Sequence, residues 1–162
     1  MMKKILVFFI IIVFFGCDNS EENKDLCSYY NTTVMFSVLN SEHEDLLNPE
    51  NLTHLDVSKI KLFNVINGKT VEFYDPNLDS PRNFKILKYD YDDVYHITIS
   101  LNDIDKSAKT KTYIQWNEKD TDTLESTFNK TKCSTITNQV WLNGKLVWDY
   151  KMDDKDYPII IK

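Results

Sequence analysis

Glycine is almost missing from this chain: Gly16, Gly68 and Gly144 are all it has in 162 residues. That scarcity excludes whole reaction classes, because a Walker loop and a dinucleotide fingerprint each need several closely spaced glycines to bring backbone N–H groups onto phosphate. Histidine is equally scarce. His43, His54 and His96 stand in no HxH or HxxxH arrangement and the three cysteines form no CxxC pair, so neither a metal centre nor a cofactor is expected. There is no excess of cations either, since 19 Lys and Arg face 25 Asp and Glu. Carboxylates scattered along the chain repel phosphate backbones, which disfavours nucleic acid as a partner. Carboxylate pairs abound, but no spacing sets two of them across a glycosidic bond, and no serine sits in a nucleophile elbow. An enzyme is not expected.

The one long apolar run lies at the start. Met1-Met2-Lys3-Lys4 is followed by Ile5 to Phe15 and then Gly16-Cys17. Two lysines form a positive n-region, the apolar run is too short to span a bilayer, and a small residue occupies the cleavage position. The segment resembles a bacterial lipoprotein signal, although Phe14-Phe15 departs from the stricter lipobox, which favours an aliphatic residue three before the cysteine. The resemblance implies that residues 1–16 are removed and that Cys17 becomes the mature N-terminus. Its thiol would carry a diacylglycerol and its amine a further acyl chain such as palmitate, so that several buried chains hold a soluble domain to the membrane. Loss of Lys3 and Lys4 leaves 17 Lys and Arg against 25 Asp and Glu, a net charge of −8.

Residues 17–26 then read as a tether, because Asp18-Asn19-Ser20-Glu21-Glu22-Asn23-Lys24-Asp25 has too little apolar surface to fold. An acidic stretch directly behind a lipidated cysteine also resembles the export signal of Bacteroidota lipoproteins. It implies display on the outer face of the outer membrane, with a periplasm-facing lipoprotein as the alternative. Of the remaining cysteines, Cys27 and Cys133 form an even pair outside the reducing cytosol, which favours a disulfide. Closing a loop of about a hundred residues would stabilise by roughly 4 to 5 kcal/mol in the chain-entropy model. A nucleophilic cysteine is the weaker alternative.

Residues 27–162 fit a single domain, and their pattern is β throughout. Val34, Phe36 and Val38 alternate with Thr33, Met35 and Ser37. Asn67-Gly68 and Asn143-Gly144 each supply the two positive φ angles of a type I′ turn, predicting hairpins between segments 59–66 and 69–74 and between 139–142 and 145–150. The first should set Ile60, Leu62 and Ile66 on one core face with Val71 and Phe73. The second should set Trp141 opposite Leu146, Val140 opposite Val147 and Gln139 opposite Trp148. Segments 83–89 and 94–101 pair across Asp90-Tyr91-Asp92-Asp93; segment 109–117 leads through a turn at Asp120–Thr123 into a strand over 124–133. Pro49 to Leu55 suggests a short helical turn, and Tyr157-Pro158-Ile159-Ile160-Ile161 an edge strand, since Pro158 donates nothing to a ladder. The expected fold is all-β, an antiparallel sandwich of about seven to nine strands. An eight-stranded lipocalin-like barrel is the alternative.

With Asp45-Leu46-Leu47-Asn48-Pro49 early and Trp141-Leu142-Asn143-Gly144-Lys145-Leu146-Val147-Trp148 late, the whole chain resembles small Bacteroidota outer-membrane lipoproteins. Their domains are immunoglobulin-like or transthyretin-like, and the resemblance brings no activity with it. The aromatics of the last hairpin carry two open readings. Trp141, Trp148 and Tyr150 on one face are either core or an exposed platform on which a sugar ring or an apolar partner stacks. Asp122-Thr123-Leu124 resembles the Bacteroidota acceptor motif for O-glycosylation at Thr123, beside the plain reading as a turn. Four acidic turns, at 90–93, 102–105, 120–122 and 153–156, offer oxygen ligands of the kind calcium takes, but Asp and Asn are simply favoured in turns. Two functional classes follow: a non-enzymatic binding module at the cell surface whose partner is a glycan or a protein, or an accessory lipoprotein facing the periplasm. The oligomeric state is not legible.

Overall fold

A computed structural model describes residues 29–151 and 157–162. Eleven strands follow in order: β1 Tyr29–Asn31, β2 Thr33–Leu39, β3 Lys61–Ile66, β4 Lys69–Glu72, β5 Phe84–Lys88, β6 Tyr95–Ser100, β7 Thr110–Asn117, β8 Asp120–Lys130, β9 Ser134–Leu142, β10 Lys145–Asp149 and β11 Ile159–Ile161. One sheet runs β1-β9-β8-β7-β3-β4, with β10 also paired to β9, and the other runs β11-β2-β6-β5. Alternation along the strands directs one face of each sheet inward. Val34, Phe36, Val38, Ile97 and Ile99 from the smaller sheet meet Leu62, Ile114, Trp116, Leu124 and Val140 from the larger in one core. The fold is an all-β sandwich, and among the described residues neither sheet closes into a barrel.

Both Asn-Gly hairpins form, with positive φ at Asn67, Gly68, Asn143 and Gly144. The register of the second differs from expectation. Leu146 does face Trp141, but Val147 is an extra residue in a bulge, so that Trp148 pairs with Val140 and Asp149 with Gln139. Trp148 thereby joins Val147 against the core, and Trp141 stays on the outer face. In the first hairpin Leu62 and Ile60 are core, but Val71 is half exposed. It lies on the edge strand β4, all four residues of which are exposed.

Four further expectations are corrected. The chain turns at Glu118-Lys119, where Asn117 Oδ1 accepts from Lys119 N, so Asp120–Thr123 is already strand. That strand ends at Lys130. Cys133 lies in the tight turn beyond it, held by hydrogen bonds to the Thr131 hydroxyl. The helical turn expected over 49–55 is instead a set of hydrogen-bonded turns, and a 3-10 turn forms at Val57–Lys59, capped by Asp56. Finally the sandwich is not purely antiparallel. β11 is an edge strand as expected but runs parallel to β2, and β1 runs parallel to β9.

Candidate functional site

β9 builds the site by receiving two neighbours on the same edge. β1 pairs with Ser134 to Ile136, and β10 pairs with Gln139 to Leu142, so that the edge forks between them at Thr137 and Asn138. Thr137 bridges the fork, its hydroxyl within hydrogen-bond reach of the carbonyls of Asn31 and Thr33, at 3.3 and 3.2 Å. Those carbonyls flank Thr32, where the chain leaves the larger sheet for the smaller one. A cleft of about 470 Å³ opens there. Val34, Met35 and Ile136 contribute its apolar lining, and Tyr29, Trp148, Tyr150 and Tyr157 its aromatic lining. Tyr29 and Tyr150 are 64% and 51% exposed. Asn31, Thr33 and Thr137 complete the lining, in which no charged side chain takes part among the described residues.

Tyr157 links this cleft to a buried polar chain on the outer face of the smaller sheet. Its ring lies 4.6 Å from that of His96, and burial, followed by the Tyr91 hydroxyl, pushes its own pKa up to about 12, so the phenol stays a neutral donor. His96 is 1% exposed. Its Nε2 lies 2.7 Å from Asp92 Oδ2 and its Nδ1 3.1 Å from Ser37 Oγ. The carboxylate can only accept, which puts the ring proton on Nε2 and lets Nδ1 accept from the serine hydroxyl. Asp92 also accepts from Val94 N; that bond and the one from His96 hold its carboxyl below the usual range. Serine, histidine and aspartate are thus in series, an arrangement the sequence does not announce. Yet Ser37 is buried, and its own N–H donates to the Pro158 carbonyl, so that donor is unavailable to a developing oxyanion. The side-chain bonds tie β2 to β6 and to the turn before it, and the backbone bond to Pro158 joins the start of β11 to β2.

No family model matches the chain, and no curated protein or solved structure is similar to it. The site is therefore read from geometry alone. Of the three proposed platform residues, Trp148 and Tyr150 line the cleft, whereas Trp141 lies apart, with Lys109 Nζ 3.9 Å from its ring centre and Glu125 across from it. Thr123 faces outward in mid-strand. The aspartate before it faces inward, where Asp122 Oδ2 accepts from Trp116 Nε1 at 2.8 Å and pairs with Lys162, and Oδ1 accepts from Asn143 Nδ2 at 2.7 Å. Burial pushes the Asp122 carboxyl up, but Lys162, Asn143 and Trp116 together outweigh it and hold the group below its ordinary value.

The acidic turns are likewise engaged within the fold. Asp105 accepts from Asn67 N and Ser107 N, and Asn102 donates to the carbonyls of Val65 and Lys111. Among the described residues no three His, Cys, Asp or Glu side chains converge as metal ligands. Cys17, Cys27 and the acidic turn at 153–156 lie outside the described residues.

Proposed function

We propose that the protein is a lipid-anchored, non-catalytic binding module of the outer membrane surface, contacting its ligand through the cleft at the forked edge of β9. The observation that carries the reading is the cleft itself: a concave site of ligand size in which four aromatic side chains and a few neutral polar groups converge. Attachment through Cys17 rests on the n-region, the apolar run and Gly16-Cys17. Among the described residues no helix is long and apolar enough to cross a membrane.

A disulfide between Cys27 and Cys133 belongs to the same proposal. It is supported by the hydrogen bond of 3.0 Å from Tyr29 N to the Cys133 carbonyl, which brings the chain to Cys133 two residues after Cys27. The deciding experiment is protease treatment of intact cells, combined with labelling by a radioactive fatty acid. A displayed, lipidated domain is digested while the membrane is closed and takes up label that Cys17→Ser abolishes. Full protection from protease, or label retained in Cys17→Ser, refutes the placement.

A further inference from the structure

We infer that Asn67-Gly68 is a site of spontaneous deamidation, from which the second Asn-Gly pair, Asn143-Gly144, is protected by the fold. The inference is independent of what the cleft binds, since neither pair lines it. The chemistry is intramolecular. The main-chain nitrogen of Gly68 attacks Cγ of the Asn67 side chain, a C–N bond forms, the side-chain amide leaves as ammonia, and a five-membered succinimide closes. Water then opens the ring at either carbonyl, giving aspartate or, with the main chain rerouted through the side chain, isoaspartate. One water enters and one ammonia leaves, and nothing is oxidised or reduced. Glycine favours the step because it puts no Cβ beside the attacking nitrogen. Both pairs meet this requirement in nearly the same sequence, Ile66-Asn67-Gly68-Lys69 and Leu142-Asn143-Gly144-Lys145. What separates them is structural.

Asn143 is held at both ends of its side-chain amide and at its main chain. Its Nδ2 donates to Asp122 Oδ1 at 2.7 Å, its Oδ1 accepts from Thr123 N at 2.9 Å, and its own N–H donates to the Thr123 carbonyl at 2.8 Å. Swinging Cγ toward Gly144 N breaks the first two together, one of them a bond to a carboxylate. The strand beyond this turn is fastened as well, because Val147 and Trp148 pack on the core. Asn67 is tied only at its main chain, where its N–H donates to Asp105 Oδ1 at 3.0 Å. Among the described residues neither its side chain nor the Gly68 N–H has a hydrogen-bond partner, and no atom beyond the chain neighbours lies within 4 Å of a Cβ built on Gly68. Asn67 and Gly68 are exposed, and so are all four residues of β4, the edge strand whose local opening frees the turn. The product acts on the same hairpin. Isoaspartate adds a main-chain carbon between Ile66 and Lys69, the pair that closes the two-residue turn, and either product adds a negative charge to a residue whose N–H already holds Asp105.

The test incubates the full chain at mildly alkaline pH, folded and, in parallel, unfolded in guanidinium chloride, in water enriched in heavy oxygen so that conversion during the incubation carries the label. Peptide mapping by mass spectrometry follows aspartate and isoaspartate at each position. In the folded protein Asn67 should convert about tenfold or more faster than Asn143, the factor expected when a hydrogen bond to a charged group must first be broken. In guanidinium chloride the two rates should converge to within about twofold, because those bonds are gone. Asn67→Gly, which keeps a Gly-Gly type I′ turn, should remove most of the isoaspartate that the folded protein accumulates. Equal rates at Asn67 and Asn143 in the folded protein overturn the inference, as does protection of both where guanidinium chloride exposes both. A preference for Asn67 of the same size in the unfolded chain also overturns it, since the selection would then lie in the sequence and not in the fold.

Discussion

Replacing Asp122 by alanine tests the fold where the charge bookkeeping is densest. The carboxylate is 7% exposed and holds Trp116 Nε1, Asn143 Nδ2 and the ammonium of Lys162. Alanine leaves the Trp116 N–H buried without a partner, which costs about 1 to 3 kcal/mol. Breaking a buried ion pair costs about 3 to 5 kcal/mol, but Lys162 is 13% exposed and keeps Asp120 at 2.9 Å, so its share falls toward the lower bound. The expected loss is about 3 to 4 kcal/mol, a large part of the 5 to 15 kcal/mol of a typical domain. Asp122→Asn keeps the shape, still accepts from Trp116 and presents an amide to Lys162; about 2 kcal/mol is expected.

Because the Asp122 carboxyl is held below its ordinary value, its contribution is present above the unfolded carboxyl pKa. It is lost as pH falls through the folded one. Urea unfolding of wild type and both variants at neutral pH, repeated toward acid, measures these terms. An Asp122→Ala loss under about 1 kcal/mol, or variants whose acid decline matches wild type, refutes the assignment of a buried, ionised network.

Trp148→Ala should lower the melting temperature strongly, with a cost of about 3 kcal/mol, because Trp148 packs on the core, while Trp141→Ala on the outer face should cost about 1 kcal/mol or less; equal losses contradict the bulged register. Gly144→Ala should cost about 1 kcal/mol in urea titrations, since φ is +83° yet no atom lies within 4 Å of the added methyl; a loss above about 3 kcal/mol would mean a clash that the structure does not contain. Asp92, held low by Val94 N and His96, stabilises above the unfolded carboxyl value and loses that contribution as pH falls through its folded one, so Asp92→Asn should flatten the acid limb of stability; an unchanged limb refutes the role. Mass mapping without reductant should recover Cys27 and Cys133 in one linked peptide, and two free thiols there sink the disulfide.

The parts of the fold that were legible are those whose cause is local. Asn67-Gly68 and Asn143-Gly144 carry their left-handed backbone in the residue types themselves, and alternation along β2 points Val34, Phe36 and Val38 inward without reference to anything else. What escaped the sequence depends on distant partners. The bulge at Val147 re-aims Trp148 because the core lies beneath that edge, and an alternation count cannot see the core. The three-residue strand β1, and the parallel sense of the expected edge strand β11, come from partners about a hundred residues away. Ser37 and His96 are 59 residues apart; within their cluster only Asp92 and His96, four apart, are local.

The cleft was half legible for the same reason. Trp148 and Tyr150 stand out as aromatics in one hairpin, but Tyr29 and Asn31 join them because β1 shares the edge of β9, and Tyr157 because β11 pairs with β2.

Charge is distributed unevenly over this acidic chain, and the unevenness bears on how a ligand arrives. Many carboxylates are committed to the backbone or to neighbouring side chains: Asp45 to Leu47 N and Tyr95 N, Asp105 to Asn67 N, Asp122 to Trp116 and Lys162, Glu125 to Lys109. The remaining negative charge is solvated and sets up a field that slows polyanions at long range but exerts no net force on an uncharged chain. A neutral ligand therefore reaches the cleft at an unsteered rate, on the order of 10⁵ to 10⁷ M⁻¹s⁻¹, and that rate is insensitive to salt.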